Sequence, residues 1–407
     1  MLYDLLDRAS VFRLHFTGSG IYPNHFPLGE FPRYSIFHLS GSAEFQAGLF
    51  VIGCLAALLF TLGIATRFAG IICWVFLLNL QHYTYFSQFS ADDVLRLLLF
   101  WSLFLPLDAR LTLNPFGRHA RRLQFVENWA SAALLAQVAA IFIFAGTHKL
   151  FDPEWRNGNA LQLAIEACGT PFATSFLDHS ALLSFLTLLT IPAQLVSSFL
   201  LFTSPCLRRV GVSVLIGFQI ALLTFLNLSF FPAVTLVGLL LFIPDTLAVK
   251  RLESWNLGAK KSAAVAVGVG LLLPIFGNSS ISQFVGLHQN WSMFVPPPHQ
   301  LMWVVTRLHS SDGRVYEAAT KREFTDWSET RFATVPAWVR WAGLFLKIPQ
   351  HPTLAHRIGI SLCRYWKEDA PEKTIVSAHV YLVIKTINQQ PHRIHPELVE
   401  KVLCNGD

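Results

Sequence analysis

The sequence predicts an all-α polytopic membrane helix bundle of about eight spans, followed by a small α+β domain. Hydrophobic residues make up 53% of the 407 positions and charged residues 14%, against about 25% charged in soluble domains. Five uncharged runs also come near the roughly 20 residues that a bilayer core requires. After about Gln283 the composition changes and charged residues return. The expected division is a membrane domain over residues 1–280 and a soluble domain over residues 281–407.

The first residues, MLYDLLDRASVFRLHFTGSGIYPNHF, contain no apolar core of signal-peptide length, so internal spans must direct insertion. The five strong spans are Phe45 to Ala65, Phe68 to Phe86, Asn128 to Thr147, Ala181 to Thr203 and Val210 to Phe231. Three weaker ones are Val94 to Leu107, interrupted by Arg96; Ala233 to Ala248, separated from its neighbour by Pro232; and the glycine-rich Ser262 to Phe276. Charge decides these. With all eight in place, Arg67, Arg110, Arg118, Arg121, Arg122, Arg208, Arg209, Lys250, Arg251, Lys260 and Lys261 fall on one side, while the opposite short loops carry only Lys149 and Arg156. That asymmetry marks the first side as cytoplasmic. It places the soluble domain outside the cytoplasm, with the chain in a bacterial cell membrane. The formal net charge of +6 is therefore a topology signal, because its basic residues are dispersed among loops and form no nucleic-acid patch. Arg8 and Arg13 also fall on the outer side, which implies either a translocated tail or, the favoured reading, one more helix upstream.

In the soluble part, LMWVVTRLHSSDGRVYEAA alternates as two strands around a Ser-Asp-Gly turn, and TIVSAHVYLVIKTI alternates again. Ala337 to Leu346 and Thr353 to Tyr365 read as helices. The six cysteines show no CxxC or metal spacing. They are expected to be small buried or free thiols, with a Cys363 to Cys404 disulfide as the alternative.

The candidate chemistry centres on Ile141-Phe-Ile-Phe-Ala-Gly-Thr-His-Lys-Leu150, where Lys149 ends a long uncharged run. Such a lysine either anchors a helix at the interface or, held neutral, serves as a base. On the expected topology, His82 in Gln81-His82-Tyr83 reaches the same side as His148 and Lys149, so the two helix ends supply a base and a helper. The competing reading is that all three are interfacial side chains reaching for water. Ser90 or Asp92 would cap the third span, whereas Asp93 could pair with Arg96 or Lys149. Asp152 and Glu154 either hold Lys149 charged or lie in solvent. Trp155 suits an interfacial anchor, and Gln219 and Asn227 suit bonds between helices. HExxH, GxSxG, Walker and strand-linked GxGxxG motifs are missing, so zinc hydrolysis, serine hydrolysis and nucleotide-driven pumping find no support.

HFTGSGIYP, TLGIATRFAG, QHYTYF with SADDVLRLLLFWSLFLPLDARLTLN, and IFIFAGTHKLFDPEWRNGNAL together resemble the HTTM family, the membrane domain shared with vitamin K-dependent gamma-carboxylase. The resemblance covers roughly residues 1 to 250, and its most specific part is Ala-Gly-x-x-Lys-Leu followed by an acidic residue and Trp155. QNWSMFVPPP is similar to the start of the outer domain in bacterial members. In the carboxylase the matching lysine deprotonates reduced vitamin K, so the resemblance implies Lys149 as base, His82 as its helper, and His148 in place of a preceding lysine. It also implies that Gln219 replaces a further histidine, and glutamine cannot take up a proton near neutral pH. Peptide carboxylation is disfavoured for that reason. The implied activity is proton removal from a quinol-like, lipid-soluble substrate such as menaquinol in an outward cleft, with His148, Asp93, Trp155 and Gln219 about the substrate. Membrane lipids surround the protein, and a quinone or a peptide is its implied substrate. The other function class is a noncatalytic membrane scaffold, or a lipid or quinone binder.

Overall fold

The computed structural model describes residues 1–22, 34–105, 107, 129–243, 280–318, 320–327, 338–370, 374–387 and 394–404. By contacts the chain forms two compact units. One comprises Met1–Leu55, Asn79–Phe89 and His299–Asp407, and the other Ala56–Leu78 and Ser90–Pro298.

The second unit is helical. Its elements include α5 (Ser90–Ser102), α6 (Trp129–Phe151), α7 (Pro153–Arg156), α8 (Ala160–Cys168), α9 (Pro171–Thr174), α10 (Ser180–Leu200), α11 (Pro205–Phe225), α12 (Phe231–Leu240) and α13 (Ser280–Phe284). Helix α5 packs on α6, α6 on α10, α10 on α11, α11 on α12, and α12 back on α5. Helix α6 is the most enclosed, at 67% buried over its apolar window, against 33% for α10 and 22% for α11. The outer faces of α10 and α11 carry exposed Phe185, Leu188, Phe199, Ile220 and Leu223. That surface suits hydrocarbon and not water.

Among the described residues four helices are long and apolar enough to cross a membrane: α3 (Ala43–Thr61), α6, α10 and α11. Helix α4 (Thr66–Tyr83) has 18 residues but is polar at its ends, with Arg67, Gln81 and His82. Helix α5 has 13 residues and α12 has 10. The Ser262 to Phe276 run and the end of the Ala233 to Ala248 run lie outside the described residues.

The first unit joins the amino terminus to the carboxy-terminal sheet domain. Short helices α1 (Leu2–Ala9) and α2 (Phe12–Phe16) contribute Phe16 to an aromatic cluster with Phe37, Phe50 and Tyr83. Beside it, the fully buried Arg8 donates from Nε to Asp4 at 3.1 Å and from its guanidinium to Thr84 Oγ1 at 2.9 Å. Arg340 donates to the same Asp4 carboxylate and lies over the Phe89 ring. Strands β1 (Gln300–Ser310), β2 (Val315–Glu317), β3 (Ile375–Thr386) and β4 (Ile394–Leu403) form an antiparallel sheet in the order β2-β1-β3-β4. Helices α14 (Trp338–Phe345) and α15 (Thr353–Asp369) complete the domain, α15 lying on β3 and β4. The face carrying Val304, Leu308, Ala378, Val380 and Val402 is buried, as are Ile358, Leu362 and Trp366 of α15. Cys363 and Cys404 form a disulfide, which corrects the expectation of free thiols at these two positions. Cys54, Cys73, Cys168 and Cys206 are free.

Candidate functional site

Lys149 occupies the last turn of α6 and is 3% exposed. Its amine donates to Ala145 O, one turn back, at 3.3 Å and to Met293 O at 3.2 Å, and lies 4.9 Å from the centre of the Trp155 ring. No carboxylate pairs with it among the described residues. The Asp152 carboxylate accepts the Trp155 backbone N–H, capping α7. Glu154 accepts from Asn159. The local sequence explains this: Asp-Pro at the start of a four-residue helix puts the carboxylate at the N-cap and the proline at the first helical position. The acidic side chains that follow Lys149 in sequence thus form no ion pair with it among the described residues, although the Asp152 backbone N–H donates to Lys149 O at 3.3 Å.

Its neighbours instead come from a strap, Gly286 to Val295, that crosses α5, α6 and α7 within the same unit. Arg96 is fully buried on α5 and donates to Gly286 O at 2.6 Å, to His288 O at 3.1 Å and to Asp93 Oδ1 at 2.8 Å. His288 Nε2 lies 3.7 Å from the same Asp93 oxygen. Gln137 and Gln289 are each 1% exposed and exchange amide hydrogen bonds at 2.7 and 3.0 Å, while Trp291 Nε1 donates to Gln289 Oε1 at 2.9 Å. Met293 O then takes Lys149, and Phe294 O takes Trp155 Nε1 at 2.7 Å. Strap carbonyls thereby satisfy buried donors that a bilayer could not. Gly286 makes the first crossing possible, because its φ is +66° and an added Cβ would stand 2.9 Å from Arg96 Cδ.

Of the residues singled out from the sequence, the structure brings Lys149 and Trp155 together. Asp93 pairs with Arg96. His148, beside Lys149, is exposed. Gln219 is 1% exposed on α11, and its Oε1 meets no donor among the described residues. His82 belongs to the other compact unit, where it is buried and its Nδ1 lies 3.2 Å from Tyr34 O. Sequence reasoning missed the strap residues His288, Gln289, Met293 and Phe294, and Gln137 beneath them. The available signal was a lone amide inside an apolar run, which calls for a partner.

Among the described residues the buried amine is held by two carbonyls and an indole face, and such an amine can exchange a proton with a hydroxyl that takes the place of Met293 O. Such a site in a helical membrane bundle defines the class, a polytopic membrane protein with an internal lysine. Residues 21–246, more than half of the chain, match the family model of the HTTM domain, and the protein belongs to that family. Lys149, His82, Asp93, Trp155 and Gln219 all fall inside the matched segment, whereas the strap follows it. No curated protein and no solved structure gave a match.

Proposed function

We propose that this HTTM protein is a membrane enzyme that removes a hydroxyl proton from a lipid-soluble quinol such as menaquinol, with Lys149 as base. The observation that carries this reading is the environment of Lys149: buried at the end of an apolar helix, bonded to two carbonyls, beside Trp155, with no carboxylate partner among the described residues. A carboxylate there would hold the amine charged and unable to accept. The replacement of a family histidine by Gln219 argues against peptide carboxylation, since an amide accepts a hydrogen bond but takes no proton. The disulfide between Cys363 and Cys404 supports an oxidising, extracytoplasmic setting for the domain that begins near residue 281, in agreement with the charge asymmetry of the loops. In a bacterial cell membrane that setting is the outer side.

One observation favours a second, noncatalytic reading. Both hydrogen bonds of Lys149 are satisfied within the chain, so the lysine can serve to hold the strap on the bundle. The test is purification in mild detergent from quinone-containing membranes, followed by extraction and mass spectrometry. The enzyme reading expects a quinone in near-stoichiometric amount; its repeated absence from folded protein would leave the lysine as an anchor.

A further inference from the structure

Helices α10 and α11 pack side by side but leave a hollow of about 290 Å³ between them, walled also by Leu161 of α8. Its lining includes three small residues, Ala193 on α10 and, one turn apart on α11, Gly217 and Ala221, together with the larger Leu189, Phe218 and Phe225. A Cβ added at Gly217 would meet nothing within 4 Å, so the space persists at the helix surface itself. Thr190 contributes the single side-chain hydroxyl in the lining, and it already donates to Leu186 O at 3.0 Å. Water entering here would find no free partner, and a polar headgroup nothing to hold it.

Both flanking helices are long and apolar enough to cross a membrane, and only 33% of α10 and 22% of α11 is buried over their apolar lengths. The medium that reaches the hollow is therefore bilayer hydrocarbon, and in a bilayer that hydrocarbon is chiefly phospholipid acyl chain. The lining offers no aromatic hydroxyl, amide or charge that would select a rarer molecule. We infer that the α10–α11 hollow is a binding site for one acyl chain of a membrane phospholipid. The site is separate from the chemistry proposed at Lys149 and stands or falls without it. It also has a structural consequence: Leu161, Leu222 and Phe225 from the wall pack in one apolar cluster with Phe294 of the strap. A seated chain would brace that cluster.

The test compares the full-length protein with Gly217→Phe, which fills the hollow, and with Gly217→Ala, which adds one carbon into open space. After detergent exchange, native mass spectrometry should find one phospholipid retained by the parent and by Gly217→Ala. Retention should fall by about tenfold in Gly217→Phe, because the ring takes the volume the chain would occupy. On the parent protein, a phosphatidylethanolamine carrying a diazirine in its acyl chain should label residues 186–193 and 214–225. Unchanged retention by folded Gly217→Phe would overturn the inference, as would labelling confined to other helices. So would retention of an isoprenoid quinone that Gly217→Phe loses while phospholipid stays, or a dimer that seats a second copy in the hollow. Loss of phospholipid from Gly217→Phe with any quinone unaffected separates this site from the one at Lys149.

Discussion

Replacing Gln289 by leucine would remove one half of the reciprocal amide pair that seats the strap. Gln137 Nε2 and Oε1 and Trp291 Nε1 would then lose their partners at a buried site. At about 1 kcal/mol for each buried polar atom left unpaired, the cost is about 3 kcal/mol, or about 2 kcal/mol on the weaker scale measured for polar bonds between membrane helices. Gln137→Leu leaves Gln289 Oε1 still accepting from Trp291 and orphans only the Gln289 amide N–H, so it should cost about 1 kcal/mol. The double variant orphans Trp291 Nε1 alone and should also cost about 1 kcal/mol, well below the sum of the single changes. Equilibrium unfolding in detergent, followed by tryptophan emission, gives the three values. Hydrogen exchange of residues 286–294 reports on the strap directly and should rise most in Gln289→Leu. Strictly additive costs, with strap exchange unchanged, would show that the two amides do not meet and that Met293 O is not held over Lys149.

Gly146→Ala would place a methyl 2.8 Å from Leu195 Cγ and 3.3 Å from Gln194 Cβ, where α6 meets α10. The expected loss is about 1–3 kcal/mol by unfolding in detergent, and no loss would mean the helices are farther apart. The Cys363–Cys404 bridge spans a sequence separation of 41, for which loop-closure entropy gives about 4 kcal/mol. Reductant should destabilise the sheet domain by that order, and maleimide should tag these two thiols only after reduction; tagging of untreated protein from intact cells would refute the oxidised pair. His15 is pushed down to about 3 by burial, then by Arg8 and Arg340. Its folded form stays neutral where the unfolded chain, with a pKa of about 6.5, takes a proton. The stability it contributes is complete above pH of about 6.5 and is lost progressively as pH falls toward about 3, reaching a cost of about 2 kcal/mol at pH of about 5. His15→Phe should flatten that part of the stability curve, and an identical slope would assign the effect elsewhere.

Local signals in the chain announced much of this structure. The Ser-Asp-Gly turn joins β1 to β2, alternation marked β3, and the two helices of the sheet domain lie at Trp338–Phe345 and Thr353–Asp369. Strand β4 gave no such signal. It is an edge strand with Pro396, Glu397, Glu400 and Lys401, mostly exposed, and it is held by pairing with β3. The uncharged run before Lys149 announced its burial, but not what it touches, because Met293 is 144 residues away. Asp152 and Glu154 were ambiguous for the same reason: spacing allows an ion pair, and only the fold sends Asp152 to its own helix cap. Asp4 and Arg8 stand one helical turn apart and their pairing is local, yet Arg340, which completes the cluster, comes from 336 residues away. Long-range partners of buried polar groups are set by topology, which no local pattern encodes.

The most direct measurement is turnover of reduced menaquinone in the presence of dioxygen by purified protein in lipid nanodiscs, comparing the parent with Lys149→Ala. The account predicts measurable oxidation by the parent and a fall of about 10² or more in Lys149→Ala, the usual contribution of a positioned base, at unchanged yield and helical content. Equal turnover by folded Lys149→Ala would contradict the assignment of the base.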